Sequence, residues 1–179
     1  MPTVRTQGAI RNGSKTLAGG FSLVEALLVV MVILIIAAIA IPNLVHGKMR
    51  ANEAAAVASV RTIHASEVMY INSYPEVGYS GSLANLGSNG SDCTRPTSTN
   101  SCLIMDEALT SGMKSGYVFE IVGDGNKPTA SYTVNASPDS GVSGRCSISS
   151  NQSGDLHFSS PGTTNNSGRT LGSGGGCDL

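Results

Sequence analysis

An α+β fold, one long N-terminal helix laid against a small antiparallel β-sheet, is predicted by three features of this 179-residue chain. Residues 21–41 form an apolar run interrupted only by Ser22 and Glu25. Residues 43–71 are rich in Ala and contain no further proline, so a helix resumes after Pro42. Beyond residue 72 the chain turns rich in Gly, Ser, Thr and Asn, and short alternating segments there read as strands joined by turns. This length accommodates one modest domain plus an apolar segment, not two full domains.

The apolar run is 21 residues long, and about 20 span the hydrocarbon of a bilayer as a helix. The residues before it carry Arg5, Arg11 and Lys15 and no acid, which holds them on the cytoplasmic side and sends the far end of the run outward. Glu25 then needs a physical reason. A carboxylate inside hydrocarbon is costly and marks a functional site with a partner, and the natural partner is an amine. Two plainer readings compete. Ala38-Ile39-Ala40 could be the cleavage site of an ordinary secretory signal peptide, but that leaves Glu25 unexplained and makes the helical pattern after Pro42 a coincidence. A simple single-span anchor needs no glutamate there either.

After Pro42, helical spacing puts Met49, Ala56, Val57, Val60, Ile63, Tyr70 and Ile71 on one broad face that packs on a sheet. The opposite face carries Ala54, Ala55, Ala58, Ala65 and Met69. It suits close contact with other helices, or reflects the helix propensity of Ala alone. Gly47 is a weak point. Residues 21–71 would make a rod of roughly 75 Å, ended at Tyr74 because a residue before proline leaves the helical region. Two short helices are expected at 82–86 and 103–114. Strands follow at 117–122 and 131–134, joined through Gly123-Asp124-Gly125-Asn126 as a type I′ turn, then at 145–149 and 156–158 around Asn151-Gln152-Ser153-Gly154.

Little in the chain points to catalysis. His46, His64 and His157 lie far apart, outside any metal-ligand motif, and read as solvated or packing residues. Asp124 with Asn126 lacks the spacing of a calcium loop. No cysteine pair has the short separation of structural zinc, and no C-x-x-C-H is present for haem. No enzyme activity, metal or cofactor is expected. Asn-x-Ser sequences at Asn89, Asn135, Asn151 and Asn165 are common by chance in so Ser-rich a chain. The eight aromatics read as core and boundary residues.

A short basic leader ending in Gly19-Gly20, then Phe21, a glutamate at position 25, and a long apolar helix with Pro42 near its end closely resemble the N-terminus of type IV prepilins and the related pseudopilins. The resemblance covers about a third of the chain and is specific through Pro42. It implies a type IV pilin fold, with residues 1–20 a cleaved leader, 21–45 a membrane and assembly helix, and 46–179 a head that includes the rest of the spine helix. It implies that a prepilin peptidase cuts between Gly20 and Phe21 and methylates the amine of Phe21. Glu25 would then be the assembly glutamate, pairing with the Phe21 amine of a neighbouring subunit, and Pro42 the helix kink. Many family members carry a glycine inside the apolar helix, and this chain has none there.

The implied function is a structural subunit of an extracellular fibre, stored in the cytoplasmic membrane and polymerised with identical subunits. An assembly ATPase and a platform protein would supply the energy. A pseudopilin of a type II secretion system and a membrane-tethered outer binding or adhesin domain are the alternatives. Loss of the leader would remove Arg5, Arg11 and Lys15 from the eleven basic residues, leaving eight against twelve acidic, a formal −4. Such a surface argues against general nucleic-acid binding.

Cys93, Cys102, Cys146 and Cys177 all fall in the part expected outside the membrane, where disulfides form. Three pairings are possible. Sequence proximity, and the habit of the resembled family of stapling its C-terminal segment to the sheet, favour Cys93 with Cys102 and Cys146 with Cys177. Closing the latter loop would contribute about 3–4 kcal/mol on the chain-entropy model.

Overall fold

The computed structural model describes residues 22–88, 90 and 93–159, and the backbone of 169–170. The chain divides into two compact units, Met1–Ala40 and Ile41–Leu179. Helix α1, Leu23–Ser73, contributes to both and is continuous through Pro42. Proline has no N–H to give the carbonyl four residues back, so Ala38 loses its helical donor without ending the helix. The helix stops where predicted. The N–H of Tyr74 closes the last turn on the Tyr70 carbonyl at 2.9 Å, and Pro75 follows.

Within the second unit, α1 turns Ala56, Val60, Ile63 and Tyr70 inward, all with no exposed surface. They pack on Tyr117, Phe119, Ile121, Tyr132, Val134, Ala136 and Ile148, which line the inner face of an antiparallel sheet. The order among the described residues is a meander of six strands. These are β1 Met113–Lys114, β2 Tyr117–Gly123, β3 Tyr132–Pro138, β4 Ser147–Asn151, β5 Leu156–Ser159 and β6 Arg169–Thr170. The register places Phe119 opposite Ala136 and Ala136 opposite Ile148, so apolar residues from three strands share one row. Alternation of buried and exposed residues along β2 is the period-two signature of a half-buried strand. The expected α+β architecture is therefore present, with two more strands than the four expected.

Four elements differ from expectation. The helix expected over 103–114 shrinks to α3, Glu107–Thr110, following α2 at Leu83–Leu86. The N–H groups of Ser101 and Ile104 bond the carbonyls of Asn85 and Leu86 at 2.9 and 2.8 Å, which holds the incoming chain extended. Asp106 caps α3 by accepting the N–H of Leu109 at 3.2 Å. Beyond it, positive φ values at Gly112, Ser115 and Gly116 turn residues 113–114 into a strand instead of further helix. Strand β3 is longer than expected because residues 135–138 continue its pairing with β2.

Strand β4 starts later than expected. The N–H of Arg145 is drawn to the Glu53 carboxylate of α1 at 2.7 Å and not to a neighbouring strand. Finally, the β2–β3 connection is not a type I′ turn, which needs positive φ at both central residues. Only Gly125 has one, and the loop runs from Asp124 to Ser131. Asp124 organises it, accepting the N–H groups of Asn126, Ala130 and Ser131 at 3.0–3.2 Å. The Asn151 to Gly154 hairpin matches expectation, with Gly154 at φ 81°.

Cys93 and Cys102 form a disulfide with Cα atoms 5.9 Å apart, as expected. Its loop is seated on the helix by the Tyr70 hydroxyl, which donates to the Ser98 carbonyl at 2.6 Å. Cys146 is also disulfide-bonded; its expected partner Cys177 lies outside the described residues.

Candidate functional site

The feature that sets this chain apart from a globular α+β protein is the first part of α1. From Leu23 to Ile41 nearly every side chain is exposed, including Leu23 at 79%, Leu34 at 64% and Ile39 at 68%. An apolar surface of this extent in water marks a site for lipid or for other apolar surfaces. The helix is long and apolar enough to cross a membrane. Its one ionisable residue in this stretch is Glu25, exposed in the first turn. There the carboxylate complements the positive end of the helix dipole, which makes a charge tolerable at that point without giving it a partner. Gly20 and Phe21, expected at the processing site, lie outside the described residues, as do Asn89 and Asn165. Pro42 sits inside the helix, beside the division between the two units.

The head grips the second part of α1 through polar side chains that the apolar pattern alone did not reveal. Glu53, Ser59, Ser66 and Glu67 are buried on the helix together with the predicted apolar residues, while Met49, Val57 and Ile71 are only half-buried. Glu53 accepts from Arg145, and the neighbouring Asn52 donates to the Ser143 carbonyl at 2.8 Å, so two adjacent residues hold the loop before β4. Glu67, with no exposed surface, accepts the Ser80 N–H at 2.8 Å and the Ser80 hydroxyl at 2.7 Å. It thereby pins the segment that follows the helix. A signal was present: Glu53 and Glu67 lie in helical register with Ala56, Val60, Ile63 and Tyr70, on the face that packs.

Burial raises the Glu67 pKa above the ordinary carboxylate value, and the two bonds from Ser80 offset this only in part. With the folded-state pKa above the unfolded one, the folded chain binds more protons in that interval. The contribution of Glu67 to stability is therefore fully present below about pH 4.5 and is lost as pH rises through the folded value. A glutamine side chain in its place can accept the Ser80 N–H and donate to its hydroxyl, which already reaches the Ser82 carbonyl at 3.0 Å. Glu67→Gln is thus expected to match the native chain at pH 4 and to be the more stable of the two at pH 7. Thermal unfolding of the detergent-solubilised full chain at both values checks this. A glutamine variant that melts lower at pH 7 than the native chain would contradict it.

The histidines are scattered. His64 shares a 2.7 Å hydrogen bond with the Tyr132 hydroxyl, His46 is exposed, and His157 lies on β5. Tyr132 in turn packs on Tyr79 with ring centroids 4.8 Å apart, so His64 belongs to a packed aromatic group. Among the described residues no group of three or more His, Cys, Asp or Glu could hold a metal ion. Asp124 already accepts three backbone N–H groups. Of the Asn-x-Ser sites, Asn135 lies on β3 and Asn151 ends β4, its side chain accepting from Ser153 at 3.0 Å.

The fold and this site define a class: an α+β head built on a helix whose N-terminal part is apolar, exposed and long enough to cross a membrane, compatible with a pilin-like fold. Comparison with known proteins adds no relative, since no family model, no curated protein and no solved structure matches.

Proposed function

We propose that this chain is a structural subunit of a type IV pilus, made as a membrane-held precursor and polymerised through α1 into an extracellular filament. The observation that carries the reading is the exposed apolar start of α1 with a lone carboxylate in its first turn. A plain anchor needs the apolar helix but not the glutamate. In this reading a prepilin peptidase cuts between Gly20 and Phe21, Phe21 is N-methylated, and the new amine of one subunit pairs with Glu25 of the next.

Lipid and neighbouring helices are about equally apolar, so leaving the membrane for a filament yields little hydrophobic gain. Selectivity then rests on shape and on this ion pair. Extraction is driven by an assembly ATPase and platform protein, not by this chain, whose role is packing and not catalysis. The test is N-terminal peptide mass spectrometry on filaments sheared from cells. A chain starting at methylated Phe21 and abundant in that fraction supports the reading. Cleavage at Gly20 with the chain confined to the membrane favours a type II secretion pseudopilin, and a retained leader or a start at Ile41 overturns the assignment.

A further inference from the structure

Strand β2 is only partly covered on the side away from β3. Its neighbour there, β1, is two residues long and pairs with Tyr117 and Val118 alone. One step further the Phe119 N–H still reaches the Gly112 carbonyl at 2.8 Å. Gly112, at φ 88°, gives its own N–H to the Leu109 carbonyl of α3, so the pairing ends there. Backbone groups alternate in direction along a strand, and Ile121, two residues beyond Phe119, therefore points its N–H and C=O to the same open side. Among the described residues neither group has a partner. Gly81 lies against Gly123 and closes the far end of the gap.

Beside this open edge runs a groove. A cavity of about 280 Å³ separates Glu120 and Ile121 from Leu83 and Ala84 of α2 and from Thr110 and Ser111. A second cavity, of about 300 Å³, continues it from Ala84, Thr110 and Ser111 to Glu107. Among the described residues no Lys or Arg lines either cavity. Glu107 and Glu120 are both exposed, and among the described residues neither has an ion-pair partner.

We propose that the groove takes up a short extended segment of another polypeptide, which pairs with Ile121 as an added antiparallel strand and carries a Lys or Arg beside Glu120. An uncovered strand edge is a template for such pairing. The gap is short. In antiparallel pairing one incoming residue satisfies both the N–H and the C=O of Ile121, whereas parallel pairing spreads them over two. Side chains alternate between the faces of a sheet, so β2 dictates the sequence of its guest. The residue opposite Ile121 turns to the core side, where the cavity beside Leu83 and Ala84 takes a small apolar side chain. The residue before it stands beside the exposed Val122 and is apolar. The residue after it stands beside Glu120 and is basic, which makes an opposite-charge cross-strand pair. In this chain a basic residue follows two residues drawn from Ala, Val, Leu, Ile, Met and Phe only at Ala9-Ile10-Arg11, in the segment expected on the cytoplasmic side. The guest is therefore a different polypeptide and not a second copy. The site stands apart from the pilus reading.

The test titrates the detergent-solubilised full chain into a fluorescein-labelled peptide of sequence Thr-Val-Ala-Lys-Thr and follows fluorescence polarisation. Saturable binding is expected with a Kd below about 1 mM. Methylating the alanine nitrogen removes the donor that Ile121 accepts and is expected to weaken binding about tenfold or more. Placing Glu where the peptide has Lys is expected to weaken it about tenfold, and Glu120→Lys in the chain to recover that charge-reversed peptide to within about threefold of the native pair. Ala84→Trp fills the groove from an exposed position, outside the core, and is expected to abolish binding. No saturable binding overturns the proposal, and so does binding that neither N-methylation nor Ala84→Trp weakens. Self-association of the native chain in sedimentation runs, lost in Ala84→Trp, would make a second copy the occupant and overturn it as well.

Discussion

Glu25→Leu is expected to abolish filaments while leaving the chain inserted and processed. Glu25 sits in the first turn of α1, where leucine is as good a helix former and adds apolar surface, so the span is strengthened and not weakened. What leucine cannot supply is attraction to an amine. In the proposed filament that attraction acts inside a bundle of apolar helices, where the effective dielectric constant is far below that of water. Losing an ion pair of about 3 kcal/mol at each subunit contact lowers assembly by roughly a hundredfold or more. Immunoblots of sheared and membrane fractions measure this directly, and Glu25→Gln separates charge from hydrogen bonding. The glutamine keeps an acceptor oxygen without the charge, so filaments should remain absent there too. Native yield from either variant would show that the carboxylate is not the assembly partner.

How much of this molecule was legible in the sequence depends on the range of the interaction that decides each element. The apolar start of α1, its end before Pro75 and the Asn151 to Gly154 hairpin follow from local pattern, and all are found. Strand β2 was legible because its own residues alternate. The elements that escaped are set by partners distant in sequence. Residues 103–106 have helix-compatible side chains, but the Leu86 carbonyl of α2 takes the Ile104 N–H and holds the chain extended up to α3. Residue 145 has nothing unsuited to a strand, yet a glutamate 92 positions earlier takes its N–H.

The candidate site shows the same division. Glu25 stands out because polar residues are rare around it, and no tertiary contact is needed to notice it. Glu53 and Glu67 look like ordinary surface charges of an Ala-rich helix, and only their register with the packing face betrays them. Their burial matters twice. They tie loops to the helix from inside, and by turning inward they leave the outer face of α1 with cations alone.

Tyr117→Ala is expected to be the most destabilising single change in the head. The side chain has no exposed surface, belongs to the core cluster that includes Val60 and Ile63, and donates its hydroxyl to the Cys146 carbonyl at 2.8 Å. Gly144 leaves room for the ring, since a Cβ there would collide with the phenol oxygen. One tyrosine therefore joins β2 to the loop before β4, next to the attachments made by Asn52 and Glu53. Removing the ring creates a cavity and orphans a carbonyl, at a cost of about 3–5 kcal/mol. Against a total of roughly 5–15 kcal/mol this is severe, and the thermal midpoint of the solubilised chain should drop by about 10–20 °C.

Tyr117→Phe keeps the ring and loses only the hydroxyl, so its cost is expected to be about 1–3 kcal/mol. The two can be told apart by pH. Burial, and next the charge of Glu53, push the Tyr117 phenol up to about 12 from an ordinary 10. The folded chain then holds a proton that the unfolded chain releases, so the hydroxyl's contribution is complete below about pH 10 and is lost as pH rises through about 12. The stability gap between the native chain and Tyr117→Phe should accordingly narrow between about pH 9 and about 11.5, while the gap to Tyr117→Ala keeps its cavity component. A gap to Tyr117→Phe that stays constant over that range would mean that the hydroxyl bond to Cys146 does not support the head.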